Sequence, residues 1–501
     1  MDSVDAVTAA DHEHAETVHR GWEDDAVPAL IRYGKIPSLS PAFDSDWERD
    51  GHLTSAAHLL ADWCRGRKVA GATVEVLESS GRTPLLLFDA PATGGASGTV
   101  LVYGHLDKQP PLGEWRPGLG PFSPAREGVR LYGRGMGDDG YSVFAACLAV
   151  ELLDTQGVPR PRVAVLMEAS EESGSPDLPG YIDELAPRLG RPELVVCLDS
   201  GCLTYDRLWV TTSLRGNLVA TLRVQVLTEG VHSGDAGGIV PTSFRLLRRL
   251  LDRVEDPKTG EILLPELHAD VPGFDGSEAV GPWEAAGYFP AVPGLAFAGD
   301  SEAERLVRRA WKPALAVTGI DGVPSVRDGG NVLRPFTTAK ISLRLPPTVD
   351  AEHAASALTS ALTADPPEGA SVSLQMEAPA SGWASPSLDD WVAEALRRAS
   401  LEVFGRPPGA LGEGGTIPFL AMLGERWPGV PLVATGVLGP GSNAHGPNEF
   451  LHLPMAEAVT VATARLLEAA ASRVGAGEAA GRSAPALLGE GTDQPDRPLT
   501  S

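Results

Sequence analysis

Cysteine is scarce in this chain: 501 residues hold four, Cys64, Cys147, Cys197 and Cys202, none of them in a Cys-x-x-Cys pair. That excludes a sulfur-only structural zinc site and a disulfide framework, and it predicts reduced, buried thiols. Basic charge is also short, with 41 Lys and Arg against 66 Asp and Glu and a net charge of −25. A nucleic-acid partner needs a basic footprint that displaces counterions, so that class is excluded. No apolar run approaches the roughly 20 residues that span a bilayer, which argues against a membrane-embedded protein. The opening MDSVDAVTAADHEHAETVHRGW carries acids where a secretory leader is basic, with no apolar stretch behind them. The expectation is a cytoplasmic protein.

What is present is the composition of a soluble globular protein, 43% hydrophobic and 21% charged, long enough for two or three domains. Apolar spacing predicts helices over 15–35 and 52–66. The texture then turns to short β-prone runs, VEVLES, PLLLFDA and TVLVYGH, followed by the Gly-rich GRGMGDDG and a helical stretch closing at Gly157. Two further apolar strands follow, VAVLME and LVVCLD. Near-continuous apolar strands alternating with helices indicate an α/β domain around a mostly parallel sheet, layered αβα. In such sheets function gathers beyond the carboxyl ends of the strands.

After SLRG the pattern changes. LVATLRVQV alternates apolar and polar residues, SFRLLRRLLDRV repeats them at helical spacing, and strand, helix and strand recur in AKISLRLPP, 351–364 and SVSLQMEA. Period-two strands need one covered face, so a two-layer α+β module with an open sheet is expected over 214–380. It interrupts a first domain made of 1–213 and 381–474, whose second part reads as a helix near 388–404, the strand PLVATGVLG and a helix from Met455 to about Ala471. The Gly-, Ala-, Pro- and Ser-rich tail 475–501 is predicted to be disordered.

Acids and histidines collect at the ends of the predicted strands. His105 and Asp107 follow TVLV, and on extended backbone they share a face, one suited to a metal and the other to steering the imidazole. Asp138 and Asp139 open a helix, Glu171 and Glu172 follow VAVLME, and Asp199 follows LVVCL. His445 lies in GSNAHGPNE beyond PLVATGVLG. Each also has a plain reading: a surface pair, a helix N-cap, a solvated acidic loop, an exposed turn histidine. Their conjunction at one kind of topological position supplies an oxygen and nitrogen site that suits zinc, manganese or cobalt.

The ordered motifs GHLDKQP, LYGRGMGDDG, EASEESGS, CLDSG, GVHSGDAGG and SNAHGPNE, spread over about 75–470, resemble the co-catalytic dinuclear zinc peptidases, a family that includes carnosine dipeptidases, aminoacylases and succinyl-diaminopimelate desuccinylases. The dipeptidase branch is the most similar. The resemblance implies two divalent ions, zinc first with manganese or cobalt as alternatives. His105 and Asp199 would hold one, Glu172 and His445 the other, and Asp138 would bridge them. It assigns Asp107 to orienting His105 and Glu171 to the general base, and it implies a cis peptide bond between Asp138 and Asp139. It makes 214–380 a lid and dimerisation domain, and gives His232 the role of an oxyanion donor that a partner subunit of a homodimer can supply.

Arg344 lies on the face of AKISLRLPP opposite Ile341, Leu343 and Leu345, where a guanidinium suits the free carboxylate of a peptide, although an exposed strand arginine reads the same way. Glu413 and Thr416 in GEGGTIP match the family's substrate loop. One departure stands out: relatives carry lysine after the acid pair, as in DDKG, whereas this chain has Gly140 and Tyr141. The expected activity is hydrolysis of an amide bond in dipeptides or related small substrates with a free carboxylate. The alternatives are an N-acyl amino acid deacylase on the same metal centre and a metal-binding sensor without turnover.

Overall fold

A computed structural model describes residues 9–271 and 283–473. The tail expected to be disordered lies outside the described residues. Two sheets organise the chain. The larger has nine strands: β1 (Thr73–Leu77), β2 (Leu85–Ala90), β3 (Thr99–His105), β4 (Arg162–Glu168), β5 (Leu194–Cys197), β6 (Trp209–Leu214) and, from the far end of the chain, three returning strands. The smaller sheet takes β7 (Gly216–Gln225), β8 (Ala314–Asp321), β9 (Phe336–Leu345) and β10 (Ser371–Met376). The returning strands are β11 (Trp383–Ala384), β12 (Gly409–Glu413) and β13 (Leu432–Ala434).

The large sheet runs β1-β2-β4-β3-β5-β13-β6-β11, with β12 beside β6. Its centre, β4-β3-β5-β13, is parallel, and the pairings of β1 with β2, β2 with β4, β13 with β6 and β6 with β11 are antiparallel. The parallel strands are the apolar ones: every residue of β3 and β4 after the first is buried. Helices cover both faces. α1 (Ala9–Gly21), α2 (Val27–Gly34), α3 (His52–Arg65), α4 (Ser142–Gln156) and α5 (Leu178–Leu189) come from the first half of the chain. Helix α4 is buried nearly all round and stops at Gly157, whose φ of 68° is a left-handed cap that favours glycine,.

The four-stranded sheet, ordered β8-β9-β7-β10, is antiparallel throughout. Strand β7 alternates buried and half-buried residues along its whole length, as the sequence pattern required. Its covered face packs on α6 (Ser243–Leu251) and α8 (Ala351–Thr363); between them in the chain lies α7 (Glu302–Trp311). Leu246, Leu247 and Leu250 of α6 are buried in that core, each contributing about 1.5–3 kcal/mol. The large sheet is completed by α9 (Asp390–Phe404), α10 (Pro418–Arg426) and α11 (Leu453–Ser472). Among the described residues no helix is long and apolar enough to cross a membrane.

Candidate metal centre

The parallel centre of the large sheet delivers side chains from each of its strand ends. His105 ends β3, Glu171 and Glu172 form a short turn after β4, Asp199 follows β5, and His445 lies in the loop after β13. Asp138 and Asp139 come from the Gly-rich turn before α4, and their shared peptide bond is cis, as the resemblance implied. That turn comes close because Gly104 has no side chain: a Cβ there would stand 2.5 Å from Asp139 Oδ2 and 2.1 Å from Ser142 Oγ.

Asp138 is the hub. Its Oδ1 lies 3.2 Å from His105 Nε2 and its Oδ2 3.1 Å from His445 Nε2. Asp199 Oδ2 stands 3.8 Å from His105 Nε2 and Glu172 Oε2 stands 3.5 Å from His445 Nε2. Candidate ligand atoms of His105, Asp138 and Glu172 all lie within 4.8 Å of one another, as do those of His105, Asp139 and Asp199. The five ligands expected from the sequence are therefore brought together, and Asp139 joins them. Asp139 Oδ2 accepts the backbone N–H of His105 at 3.2 Å, while its Oδ1 is buried with no hydrogen-bond partner.

Around these atoms sits a supporting layer. His105 Nδ1 lies 3.1 Å from the Asp107 carbonyl oxygen and 3.4 Å from its Oδ1, which leaves Nε2 facing Asp138,. The nearer contact is thus main chain. The Asp107 carboxylate chiefly accepts the backbone N–H of Glu171 at 3.1 Å and of Glu172 at 3.0 Å, fixing that turn. Gln109 Nε2 donates to Glu172 Oε2 at 2.6 Å. His445 sits at φ 64°, flanked by Asn443 at 53° and Asn448 at 59°, in a left-handed region that costs a non-glycine residue about 1–2 kcal/mol.

Arg134 and Glu449, which the sequence reasoning did not single out, hold that loop. The buried Arg134 Nη1 donates to Glu449 Oε2, and Nη2 donates to the carbonyls of His445 and Gly446, both at 2.9 Å. Glu449 Oε1 accepts from Gly135 N at 2.8 Å, so the pair ties the Asp138 turn to the His445 loop. A signal was present: one charge of each sign stands beside a proposed ligand in stretches otherwise made of Gly, Pro and small polar residues. Lys108 was missed too. It is fully buried, donates to the carbonyls of Tyr33 and Ile36 at 3.2 and 2.8 Å, and burial pulls its ammonium down to about 7. Gly140, the departure from DDKG, has a steric cause, since a Cβ there would meet Tyr33 Cε1 at 2.3 Å and the Gly135 carbonyl oxygen at 2.6 Å.

The electrostatics are those of an anionic hole. Burial pushes Asp199 and Glu172 up to about 7 despite the opposing pull of His105 on the first and His445 on the second. Burial, then the Asp199 charge, raises Glu171 well above the usual carboxylate range. Burial works against charging His445, yet Glu172 and Asp138 bring it up to about 9. Asp138 is held far below the usual range: burial opposes its charge, but bonds to His105 and His445 outweigh that. Buried carboxylates crowded around two histidines need positive charge, and hard oxygens with imidazole nitrogen and no thiolate fit divalent zinc, manganese or cobalt.

The remaining predicted residues lie elsewhere. His232 is not drawn into the cluster: its side chain is 64% exposed and its contacts are local, Gly234 N at 3.2 Å and Asp235 Oδ2 at 3.8 Å. Glu413 Oε1 accepts from Ser200 Oγ and Gly201 N at 2.7 Å and from Thr211 Oγ1 at 3.0 Å, directly beside Asp199. Thr416 Oγ1 accepts from Arg344 Nη1 at 3.0 Å and donates to the Arg215 carbonyl at 2.5 Å, joining two of the three predicted substrate residues.

A cysteinylglycine-S-conjugate dipeptidase of Corynebacterium striatum is 27% identical over 385 residues, 73% of this chain and 80% of that protein. The human beta-Ala-His dipeptidase is 27% identical over 369 residues, 71% of each. Among solved structures, human carnosine dipeptidase 1 superposes with a TM-score of 0.75 at 23% identity, covering 92% of this chain and 99% of that one. The dipeptidase Dug1p of Saccharomyces cerevisiae does so with 0.76 at 20% identity and the same coverage. These two share the fold. Residues 101–472 match peptidase family M20/M25/M40, and the chain belongs to that family of divalent-metal-dependent hydrolases.

Proposed function

We propose that this protein is a dinuclear metallodipeptidase, cleaving the amide bond of dipeptides that end in a free carboxylate. The observation that carries the reading is Asp138, whose two oxygens face two different histidines. His105 and Asp199 would hold one divalent ion and Glu172 and His445 the other, with the Asp138 carboxylate available to both; zinc is the first choice, manganese or cobalt the alternatives. When bound, such ions polarise the scissile carbonyl and acidify a water. Glu171 takes the proton of the attacking water and returns it to the departing amine. Its raised affinity for protons suits both halves of that cycle, and its backbone is pinned by Asp107,.

Residues 214–380 act as lid and dimerisation domain on a catalytic domain of 1–213 and 381–474. Arg344 grips the substrate carboxylate, and Glu413 and Thr416 line the same pocket. His232 donates to the oxyanion across a homodimer interface; its exposure supports delivery to a partner's site,. The edge strand β8 leaves Val317 and Ile320 exposed, with Val323 and Val326 beyond it, and an apolar unpaired edge favours pairing with a second copy. A cytoplasmic location agrees with the four unpaired cysteines,.

The test is a substrate panel. Protein reconstituted with zinc, manganese or cobalt is assayed against dipeptides and against N-acetyl and N-succinyl amino acids. Turnover of dipeptides supports the reading, turnover confined to the acyl amino acids replaces it with the deacylase, and stoichiometric metal binding without turnover of either replaces it with a sensor.

A further inference from the structure

Three arginines beside the Glu413 loop carry charge that the described chain does not answer. Arg344, largely buried, donates to Thr416 Oγ1 at 3.0 Å. Arg215 donates from Nε to the Gly414 carbonyl at 3.3 Å and from Nη1 to the Lys312 carbonyl at 3.0 Å. Its Nη2 lies 2.9 Å from where a Cβ on Gly414 would stand, so a side chain at that position would displace the Arg215 guanidinium. Arg309, on α7, has its Nη1 buried with no hydrogen-bond partner, and its Cζ is 5.2 Å from the Tyr288 ring centroid. Among the described residues none of the three forms an ion pair, in a chain whose net charge is −25.

Arg215 feels the other two guanidiniums. Burial, followed by the charges of Arg344 and Arg309, pulls Arg215 down to about 9. Glu413 is the acid of this loop, and its Oε1 is already shared among Ser200, Gly201 and Thr211. Set against three positive charges, Glu413 supplies one negative charge and the terminal carboxylate of a dipeptide on Arg344 supplies another. One guanidinium charge stays unmatched. A purely structural clamp accounts for Arg215, whose donors meet carbonyls, but not for the orphaned donor of Arg309. Space is available alongside, since a Cβ on Gly415 would meet nothing within 4 Å.

We propose that Arg309 and Arg215 form a second anion subsite next to Arg344, so that the preferred substrates are dipeptides whose C-terminal residue carries a side-chain carboxylate. The inference rests on the dipeptidase reading above and deepens it. Arg309 makes the direct contact through its free Nη1, and Arg215 adds charge while holding the Gly414 carbonyl in place.

Two isosteric pairs test it, Gly-Glu against Gly-Gln and Gly-Asp against Gly-Asn, assayed with the metal-loaded enzyme. The acidic member should be favoured in kcat/KM by about tenfold or more, the worth of one charge-assisted hydrogen bond, mainly through KM. In Arg309→Gln that ratio should fall toward one. A second measurement avoids turnover: glutarate should bind the metal-free protein about tenfold more tightly than butyrate, weakening with salt, and Arg309→Gln should remove the difference. Equal turnover of acidic and neutral partners overturns the subsite and leaves the dipeptidase reading standing. Failure to cleave any dipeptide overturns both, and glutarate binding no better than butyrate overturns the subsite on its own.

Discussion

The metal cluster and the 214–380 region obey different physical rules. Around Asp138, His105, Glu171, Glu172, Asp199 and His445 end or follow strands of one sheet, and a supporting residue fixes most of them: Asp107 under His105 and the glutamate turn, Gln109 on Glu172, Arg134 behind His445. In the small sheet one face is packed and the other open, β8 is an exposed edge, and the polar contacts of the His232 side chain stay within its own turn. The proposed ligands are thus held by buried partners, whereas the proposed oxyanion donor His232 sits on an exposed turn whose displacement disturbs no buried side-chain hydrogen bond among the described residues,.

The sharpest way to break this contrast is Glu171→Gln. It removes the proton carrier while leaving the ligands in place, so kcat should fall by about 10²–10⁴-fold with metal content by elemental analysis unchanged. If more than about a tenth of wild-type turnover survives, a different base is at work. On the other side of the contrast, His232→Ala should lower kcat by about 10²–10³-fold, the usual loss of one oxyanion donor. Because that side chain is mostly exposed, melting temperature and metal affinity should stay as they were,. A melting temperature that dropped along with activity would place His232 in a packed structural role instead.

Glu449→Gln probes the buried side indirectly. It strips the charge that answers the buried Arg134 and loosens the loop carrying His445. Losing a supporting partner of a ligand should weaken metal binding by about 10–100-fold, and leaving a buried guanidinium unpaired should cost about 3 kcal/mol of stability. Metal titration calorimetry and urea unfolding read the two separately. Stability lost without any change in metal affinity would mean that the pair supports the fold but not the site.

The sequence made part of this contrast visible. The apolar runs behind β3, β4 and β5 marked a buried sheet, and the acids and histidines at their ends marked the site, because burial on both faces leaves strand interiors no freedom but apolar residues. The alternation in β7 and β9 announced a sheet with one covered face. Strand β8 was not legible: its residues are mostly exposed at an edge, so no periodic constraint acts on them. PLVATGVLG reads as nine strand residues, yet the strand proper is Leu432–Ala434, followed by a lone bridge of Leu438 to Gly201 before the chain leaves to build the His445 loop. Arg134 and Glu449 are separated by 315 positions, and nothing local records their pairing. The antiparallel margins of the large sheet are likewise a matter of chain return, which apolar patterning does not encode.

The smallest effect is a pH dependence, and its sign tests whether the cluster is the anionic hole that the geometry describes. In metal-free protein Asp199 and Glu172 titrate at about 7 and His445 at about 9, against unfolded values near 4 for carboxylates and about 6.5 for histidine. All three folded values are raised, so the folded state binds more protons than the unfolded chain between them. Their contribution is complete below the unfolded values and is lost as pH rises through 7 and then 9. His452 and Lys108 work the other way. Burial and Arg130 lower His452 to about 4, an effect confined below about pH 6.5,. Burial pulls Lys108 to about 7, and above pH 7 its opposing contribution is outweighed by His445 together with the raised His105, Asp139 and Glu171,. Between pH 6.5 and 9, then, chelator-treated protein should melt at progressively lower temperature, by about 2–4 °C for each kcal/mol lost. Adding zinc should reverse the slope, because the ion competes with those protons for the same atoms. A metal-free melting temperature that climbs over this interval would show the carboxylates already compensated by cations of the protein itself, and the case for divalent ions at Asp138 would fall with it.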